Sequence, residues 1–424
     1  MRIRIAFVVA VGLAAILALG ATSAQQPVTV MLAGFSVDTP VVQRLIDQFV
    51  RGRVPGVNVQ WQPITDDFGR FITTTLAAGT APDIFYLDIF ASAPLVRAGR
   101  IEPLDSYLRD SHRTLIIDFV PELMQAFTFD NRVYAIPKDF NSLVAFYNKD
   151  MFDAAGVPYP ADDDTWAAFK EKIARVHRFV HRADPGIYGM ILNPDAARFI
   201  PFALANGGAL FADDGSADSV NTPAWKQAAD YFTSFVREGL AAPASDIGAG
   251  WPGDAFAKER AAVVLEGGWM IPFLRDTNPG LDYGTAFLPT APTGRKANFL
   301  FTVGYAMSAD GRNKPAAWRV IEALTSPEAQ EFILRQGLAI PSRVVLQGSP
   351  VFLQTDPASR ATAKVFSATR GAVAFRFGLL GGDYLDRVGQ SLTRVFNREA
   401  TPDQAMELAA RQINEQLRAR GLIR

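Results

Sequence analysis

Residues that could catalyse a reaction or hold a metal ion are sparse in this chain of 424 residues. It has no cysteine and only three histidines, His112, His177 and His181. The absence of cysteine excludes disulfides, thiolate metal sites and cysteine nucleophiles together. His177 and His181 have the i, i+4 spacing of zinc ligands on a helix, but three arginines lie among and beside them. We therefore expect a basic surface helix there and no metal site.

Two loops match ligand-binding patterns only in part. Residues 248–253 fit G-x-G-x-x-G, but the dinucleotide motif requires a preceding strand and a helix that begins inside it. A loop-like segment precedes this one, and Pro252 is awkward in such a turn, so we expect a flexible loop. Residues 213–218 are rich in oxygen ligands, yet Ala224 stands where a calcium loop carries glutamate. The sequence predicts no catalytic residue, metal or cofactor, although composition leaves open the carboxylate pair of a glycosidase.

The N-terminal segment has the pattern of a secretory signal peptide, which we assign to residues 1–24. Arg2 and Arg4 precede an apolar run at residues 5–19, and small residues lead to Ala24. The run is shorter than the ~20 residues that span a bilayer; an uncleaved anchor is the alternative. Because no cysteine exists to carry a lipid, we expect a periplasmic monomer that is not lipid-anchored. The net charge of −1 argues against nucleic acid as a partner.

Strands and helices alternate along the remaining chain. Apolar periodicity predicts strands at residues 28–33, 57–61 and 83–87, with helices at 41–50 and 68–78 between them. This β-α-β-α-β order predicts a parallel sheet covered by helices. Further helices are predicted at 166–179, 223–238, 315–324, 327–336 and 402–420, and further strands at 261–265, 283–288 and 297–307. The fold class is therefore α/β, with two lobes.

Seven short motifs resemble, in the right order, those of the bacterial extracellular solute-binding proteins of ABC importers. The resemblance is to their sugar-binding group, the maltose-binding protein family. The most specific motif is Tyr-Ala-Ile-Pro at residues 134–137, followed by Phe-Tyr-Asn-Lys-Asp-Met-Phe at 146–152. The others are Ala-Gly-Thr-Ala-Pro-Asp-Ile at 78–84, Gly-Arg-Ile-Glu-Pro-Leu-Asp at 99–105, Asn-Gly-Gly at 206–208, Glu-Gly-Gly-Trp at 266–269 and Ser-Pro-Glu-Ala-Gln at 326–330.

The resemblance implies a periplasmic binding protein fold, in which two α/β lobes are joined by a multi-strand hinge and enclose a ligand cleft. By analogy, residues 27–137 plus 289–340 form the N-terminal lobe, and residues 138–288 plus 341–424 form the C-terminal lobe. The implied function is capture of a carbohydrate and its delivery to the ABC permease, without enzymatic activity. Glycerol phosphate or a polyamine is the alternative ligand, and an exported glycoside hydrolase is a remote alternative function.

A sugar offers hydroxyl groups at its rim and C–H patches on its faces. Carboxylates and arginine suit the rim, and flat aromatic rings suit the faces. Trp269 and Gly268 follow an apolar strand, at a strand end where ligands of α/β proteins gather, and they match the Gly-Trp of the family. Asp88 also follows a strand, and Asp139 lies at the proposed first crossover between lobes. We expect all four to contribute to the cleft.

Further contacts are expected from loops elsewhere in the chain. These are Phe35 and Ser36 in the first loop, Trp251 in the glycine-rich loop, Asp195, Arg343, Tyr384 and, less specifically, Arg376. Loop anchoring, lobe packing and an Asx turn at Asp195 are the alternative roles. Trp166, Trp225 and Trp318 lie on predicted helices, so we expect them in the core instead.

Overall fold

The computed structural model describes residues 27–65, 67–370, 372 and 380–424. The predicted signal peptide at residues 1–24, and Arg376, lie outside the described residues. The strands are β1 (Val28–Phe35), β2 (Val57–Ile64), β3 (Ile84–Asp88), β4 (Thr128–Phe129), β5 (Arg132–Val133), β6 (Ala135–Asn141), β7 (Val144–Asn148), β8 (Tyr188–Ile191), β9 (Ala241–Ala242), β10 (Ala261–Glu266), β11 (Tyr283–Ala286), β12 (Phe301–Met307) and β13 (Ile340–Pro341).

Helices of varied length connect and cover these strands. They are α1 (Thr39–Leu45), α2 (Phe68–Ala78), α3 (Ser92–Arg97), α4 (Asp105–Asp110), α5 (Pro121–Ala126), α6 (Lys149–Ala154), α7 (Trp166–Ala183), α8 (Ala196–Ala205), α9 (Pro223–Arg237), α10 (Pro252–Ala257), α11 (Met270–Thr277), α12 (Lys314–Leu324), α13 (Pro327–Arg335), α14 (Pro357–Ala368), α15 (Gly382–Phe396) and α16 (Pro402–Ala419). Among the described residues, no helix combines the length and apolarity needed to span a membrane.

The first lobe is built on a six-stranded sheet with the order β13-β6-β12-β3-β1-β2. Strand β1 pairs in parallel with both β2 and β3, which confirms the predicted β-α-β-α-β unit. Strand β12 enters this sheet from far along the chain and is antiparallel to β3 and β6. The carboxyl ends of β1 and β3 therefore lie side by side, so the residues that follow them meet at one edge of the sheet.

The second lobe is built on a five-stranded sheet with the order β11-β7-β10-β8-β9. Every residue of β7 and β10 is buried, because these strands lie inside the sheet and are covered on both faces. Strands β8 and β10 are parallel, whereas β7 is antiparallel to β10 and β11. The two sheets confirm the predicted α/β fold with two lobes.

The chain passes from the first sheet to the second through two residues, Ser142 and Leu143, which separate β6 from β7. It returns between β11 and β12, and β13 is the last strand in the first sheet. Pairing of β6 with β12 continues as far as Asn141, past the predicted boundary after Pro137. The exact division of the chain into lobes stays a prediction.

Each lobe has its own apolar core. In the first lobe, Trp318 packs with residues of β1, β3 and α12; in the second, Trp166 and Trp225 join residues of α7, α8, α9 and α16. The three tryptophans are at most 6% exposed, which confirms their predicted core positions. Thr165 caps the start of α7, since its hydroxyl accepts a hydrogen bond from the Ala168 amide at 3.2 Å; such a cap contributes about 1 kcal/mol.

His177 is expected to make the second lobe sensitive to acid. Burial, with His181 and Arg178 nearby, lowers the pKa of His177 to about 4 from 6.5, and its Nδ1 accepts a hydrogen bond from the Gly189 amide. Because the unfolded chain binds this proton more readily, the stability from neutral His177 is present above pH 6.5 and lost as pH falls toward 4. We expect the free energy of unfolding to fall less between pH 7 and 4 in His177→Asn than in the wild type, by on the order of 2 kcal/mol.

Denaturant unfolding between pH 7 and 4 measures this effect. His112→Asn is the control, because His112 is exposed on a loop. An equally steep loss of stability in His177→Asn and the wild type would contradict the assignment.

Candidate ligand-binding cleft

A cavity of about 490 Å³ lies between the two sheets, with walls from both lobes. Its volume and its mostly apolar lining, with a few charged groups, are typical of a small-molecule site. Six of the predicted contacts line it, namely Phe35, Ser36, Asp88, Asp139, Trp251 and Trp269. The cavity is also lined by residues that were not predicted as contacts, namely Val37, Asp38, Phe90, Lys138, Asn141, Arg198, Phe301, Thr302, Val303 and Leu338.

A β-bulge brings two consecutive charged side chains to the first-lobe wall. In the pairing of β6 with β12, Asp139 lies opposite Val303 and Pro137 opposite Gly304, so Lys138 is an extra residue. Strand side chains normally alternate between faces, and a bulge re-aims them. Lys138 and Asp139 therefore both line the cavity. The sequence does not reveal this bulge, because it depends on a partner strand more than 150 residues away.

Lys138 is the centre of a buried ion cluster. Its Nζ pairs with the Asp139 carboxylate and lies 3.5 Å from Oδ2 of Asp38; it is also 4.9 Å from the centre of the Tyr86 ring. All three charged side chains are at most 6% exposed. Burial would lower the pKa of Lys138, but the two aspartates raise it above its ordinary value, so the ammonium stays charged and its charge is already balanced.

Asp88 is a different kind of carboxylate. Its Oδ1 accepts a hydrogen bond from the Phe90 amide at 2.8 Å. Burial raises the pKa of Asp88 to about 6 even though this hydrogen bond lowers it. Among the described residues, no cation forms an ion pair with it. The hydroxyl group of a neutral ligand can therefore form a hydrogen bond with the Asp88 carboxyl group without first displacing a cation from it.

The second-lobe wall carries the two predicted tryptophans, and each lies against a glycine. A Cβ on Gly253 would come within 2.2 Å of the Trp251 ring, and one on Gly267 within 2.4 Å of the Trp269 ring. A real Cβ does not come this close to a ring, so a larger residue at either position would have to push the tryptophan out of its present place. The expected flexible loop is also wrong at Pro252, which begins α10, because proline suits the first position of a helix.

Arg198 joins the second-lobe wall and was missed from the sequence. Its Nη1 donates to Oδ2 of Asp195 at 3.0 Å and its Nη2 to Oε2 of Glu266 at 2.7 Å. The guanidinium group lies 5.7 Å from the Trp269 ring centre and 5.9 Å from that of Phe301. These contacts hold a cation against two aromatic rings. In the sequence, the one signal for the pairing with Asp195 is that Arg198 follows it by three residues, the spacing of neighbours on a helix.

Asp195 caps α8 and does not line the main cavity. Its Oδ1 accepts hydrogen bonds from the amides of Ala197 and Arg198 at 2.7 and 3.2 Å. It borders a side cavity of about 110 Å³, whose walls share Arg198 and Trp251 with the main cavity. Asp195 therefore has the alternative role, a local hydrogen-bonded turn. Its connection to the main cavity is its ion pair with Arg198.

The predictions for Tyr384 and Arg343 require correction. Tyr384 is fully buried in the second-lobe core, where its hydroxyl donates to the Leu210 carbonyl at 2.8 Å. Arg343 is 4% exposed; its Nε donates to the Thr325 carbonyl at 2.6 Å and its Nη1 pairs with Asp118 at 3.1 Å. Neither residue lines the cavity, because the polar groups of both side chains are engaged in buried contacts elsewhere.

Gly268 connects the lobes through its backbone rather than lining the cavity. Its amide donates to Oδ1 of Asn141 at 3.1 Å, which joins the loop after β10 to β6 of the first sheet. A Cβ on Gly268 would lie 2.6 Å from that same oxygen. A side chain at position 268 would therefore press against Asn141 at this contact between the two lobes.

Gly268→Ala is accordingly expected to lower the free energy of unfolding by about 1–3 kcal/mol, the usual cost of an overpacked contact. The control is Gly250→Ala, where a Cβ would meet nothing within 4 Å. Urea unfolding compares the two. Equal stability of both variants would show that Asn141 moves aside freely.

Comparison with known proteins places this architecture in a family. Residues 36–331 match the model of the bacterial extracellular solute-binding proteins. A mannitol-binding protein of Pseudomonas aeruginosa is 25% identical over 334 residues, which are 76% of this chain and 74% of that protein. A galactooligosaccharide-binding protein of Bacillus subtilis is 22% identical over 81% of this chain and 79% of its own length.

Solved structures share the fold. An ABC substrate-binding protein of Listeria monocytogenes, in complex with cycloalternan, superposes with a TM-score of 0.84 at 23% identity and covers 92% of this chain and 99% of its own. An ABC transporter solute-binding protein of Thermotoga lettingae, bound with α-D-tagatose, gives a TM-score of 0.81 at 22% identity, with coverage of 92% and 100%. The family model spans most of the chain, and the fold agrees with it. The chain belongs to the bacterial extracellular solute-binding protein family.

Proposed function

We propose that this protein captures an uncharged sugar in the cleft and delivers it to the transmembrane permease of an ABC importer. The observation that carries the proposal is the pairing of an aromatic second-lobe wall with a carboxylate-bearing first-lobe wall. Trp251 and Trp269 face the cavity from one lobe, and Asp88 and Asp139 from the other. Aromatic rings cover the C–H faces of a sugar, and carboxylates accept hydrogen bonds from its hydroxyl groups.

The charges of the cleft favour a neutral ligand over glycerol phosphate. Phosphate binding needs a cation that is free to pair with it. Among the described residues, the cations that line the cavity are Lys138 and Arg198, and both are already paired with carboxylates. An incoming phosphate would have to displace one of these carboxylates, which is costly in a buried site.

A polyamine is disfavoured for the opposite reason. Several ammonium groups would each require a free carboxylate, and Asp38 and Asp139 already share Lys138. Asp88 is the remaining lining carboxylate in the described part of the chain, so a single unpaired carboxylate would face several ammonium groups. A glycoside hydrolase is also disfavoured, because the family and the relatives reported above are binding proteins.

The two-lobe arrangement gives the binding mechanism. A sugar that contacts both walls stabilises the closed arrangement of the lobes more than the open one, and this difference in affinity drives closure. The permease would then recognise the closed form. We further propose that residues 1–24 direct export, that cleavage releases the protein into the periplasm without a lipid anchor, and that it acts as a monomer.

A thermal-shift panel tests the ligand class. The panel contains mannitol, maltotriose, tagatose and a galactooligosaccharide, with glycerol 3-phosphate and spermidine as the charged alternatives. We expect a concentration-dependent rise in melting temperature with at least one uncharged sugar and none with the charged compounds. A rise with glycerol 3-phosphate or spermidine alone would contradict the proposal.

A further inference from the structure

Glu266 is a buried carboxylate behind the cleft wall that the proposed function does not yet use. It ends β10, and its side chain is fully buried. Its Oε2 accepts two hydrogen bonds from cleft residues, one from Nη2 of Arg198 at 2.7 Å and one from the indole Nε1 of Trp269 at 2.9 Å. A single oxygen atom thus holds both the arginine and the tryptophan of the second-lobe wall.

The first consequence concerns the direction of the Trp269 ring. Gly267 lets the ring lie close to the backbone, and Phe301 contacts it at 5.7 Å between ring centres with an interplanar angle of 73°. These contacts are apolar and do not fix the rotation of the indole in its plane. The hydrogen bond to Glu266 does fix it, because only one atom of the indole can donate.

The second consequence concerns charge. Arg198 is paired with Glu266 on one side and Asp195 on the other, so two carboxylates face one guanidinium group. These two hydrogen bonds use two of the five N–H donors of arginine. Arg198 can therefore still donate to the hydroxyl oxygens of a sugar, while its positive charge is no longer available to an anion.

We propose that Glu266 is a positioning residue that orients Trp269 and neutralises Arg198, and thereby makes the cleft prefer uncharged sugars to anionic ones. This inference rests on the proposed function for its binding part. Its structural part concerns the Trp269 ring and holds without any ligand. Supporting groups of this kind fix the geometry of the residues that touch a ligand without touching it themselves.

Two substitutions separate the roles of Glu266. Glu266→Gln keeps an acceptor for both hydrogen bonds but removes the negative charge. Glu266→Met removes the acceptor as well and keeps a similar length. The matched control is Asp164→Asn, since Asp164 is another buried carboxylate of this lobe, is paired with Lys172 and does not line the cavity.

Calorimetry measures binding of the panel sugar with the largest thermal shift and of its acid derivative, in which one primary hydroxymethyl group is oxidised to a carboxylate. For Glu266→Gln we expect the preference for the neutral sugar over the acid to fall by about tenfold. For Glu266→Met we expect affinity for the neutral sugar itself to fall by at least about tenfold. Asp164→Asn should change neither quantity. An unchanged preference in Glu266→Gln would overturn the neutralising role.

Acrylamide quenching of tryptophan fluorescence tests the orientation of the Trp269 ring without a ligand. Subtracting the signal of the Trp269→Phe protein isolates the fluorescence of Trp269. We expect Trp269 to become more accessible in Glu266→Met and to keep its wild-type accessibility in Glu266→Gln. Equal quenching in the wild type and both variants would overturn the positioning role. If the wild type binds no sugar of the panel, the proposed function fails, and the quenching result decides the positioning role by itself.

Discussion

Trp269→Ala is expected to weaken sugar binding by about 100-fold, which corresponds to about 3 kcal/mol. The indole lines the cavity and lies beside the Arg198 guanidinium and the Phe301 ring. Removing it takes away the aromatic surface for the sugar face, and it also leaves Glu266 with one hydrogen bond fewer. Calorimetric titration with the sugar that stabilises the wild type measures the loss.

Two further variants interpret this result. Trp269→Phe keeps a flat ring but loses the N–H donor, so we expect an intermediate affinity. Trp61→Phe serves as the control, because Trp61 belongs to β2 and does not line the cavity. Wild-type affinity in Trp269→Ala would contradict the prediction, because it would show that the sugar does not contact the Trp269 ring.

Lys138→Met is expected to cost about 3–5 kcal/mol of folding free energy, the range found when one partner is removed from a buried ion pair. Asp38 and Asp139 would then be left as neighbouring buried carboxylates without the cation that both now contact. Adding Asp139→Asn should recover part of the loss, because one of the two unpaired charges disappears. Urea unfolding of the single and double variants measures both effects.

The control for this prediction is an exposed lysine. Lys258 pairs with Asp254 across one helical turn and is 56% exposed, so Lys258→Met should cost about 0–1 kcal/mol. Equal costs for Lys138→Met and Lys258→Met would mean that the cluster at the cleft is well hydrated, and the argument from paired charges against an anionic ligand would then fail.

The elements could be predicted from the sequence where local patterns decide them. The parallel pairing of β1 with β2 and β3 follows from apolar periodicity, and the positions of Asp88 and Trp269 at the cavity follow from their place just after buried strands. Their contact with a sugar stays a prediction. The motifs shared with the family supplied the hinge of several strands and the ligand cleft between the lobes, which local patterns do not contain.

The rest of the candidate site depends on contacts that no local pattern records. Lys138 faces the cavity because of a bulge against β12, and Arg198 reaches it because two carboxylates hold its side chain there. Tyr384 and Arg343 were expected at the cleft because they lie in glycine-rich or loop-like segments. Each instead has a buried hydrogen-bond partner away from the cavity, and burial of this kind cannot be inferred from residue type.

A crystal structure of the protein with the sugar that gives the largest thermal shift tests the central claim most directly. We predict a sugar in the cavity between the lobes, with one ring face against Trp269 and hydroxyl groups within hydrogen-bond distance of Asp88 and Asp139. The ion pairs of Lys138 and Arg198 should remain intact. A sugar bound elsewhere, or a cleft occupied by a phosphate that has displaced Asp139 or Glu266 from its cation, would contradict the account.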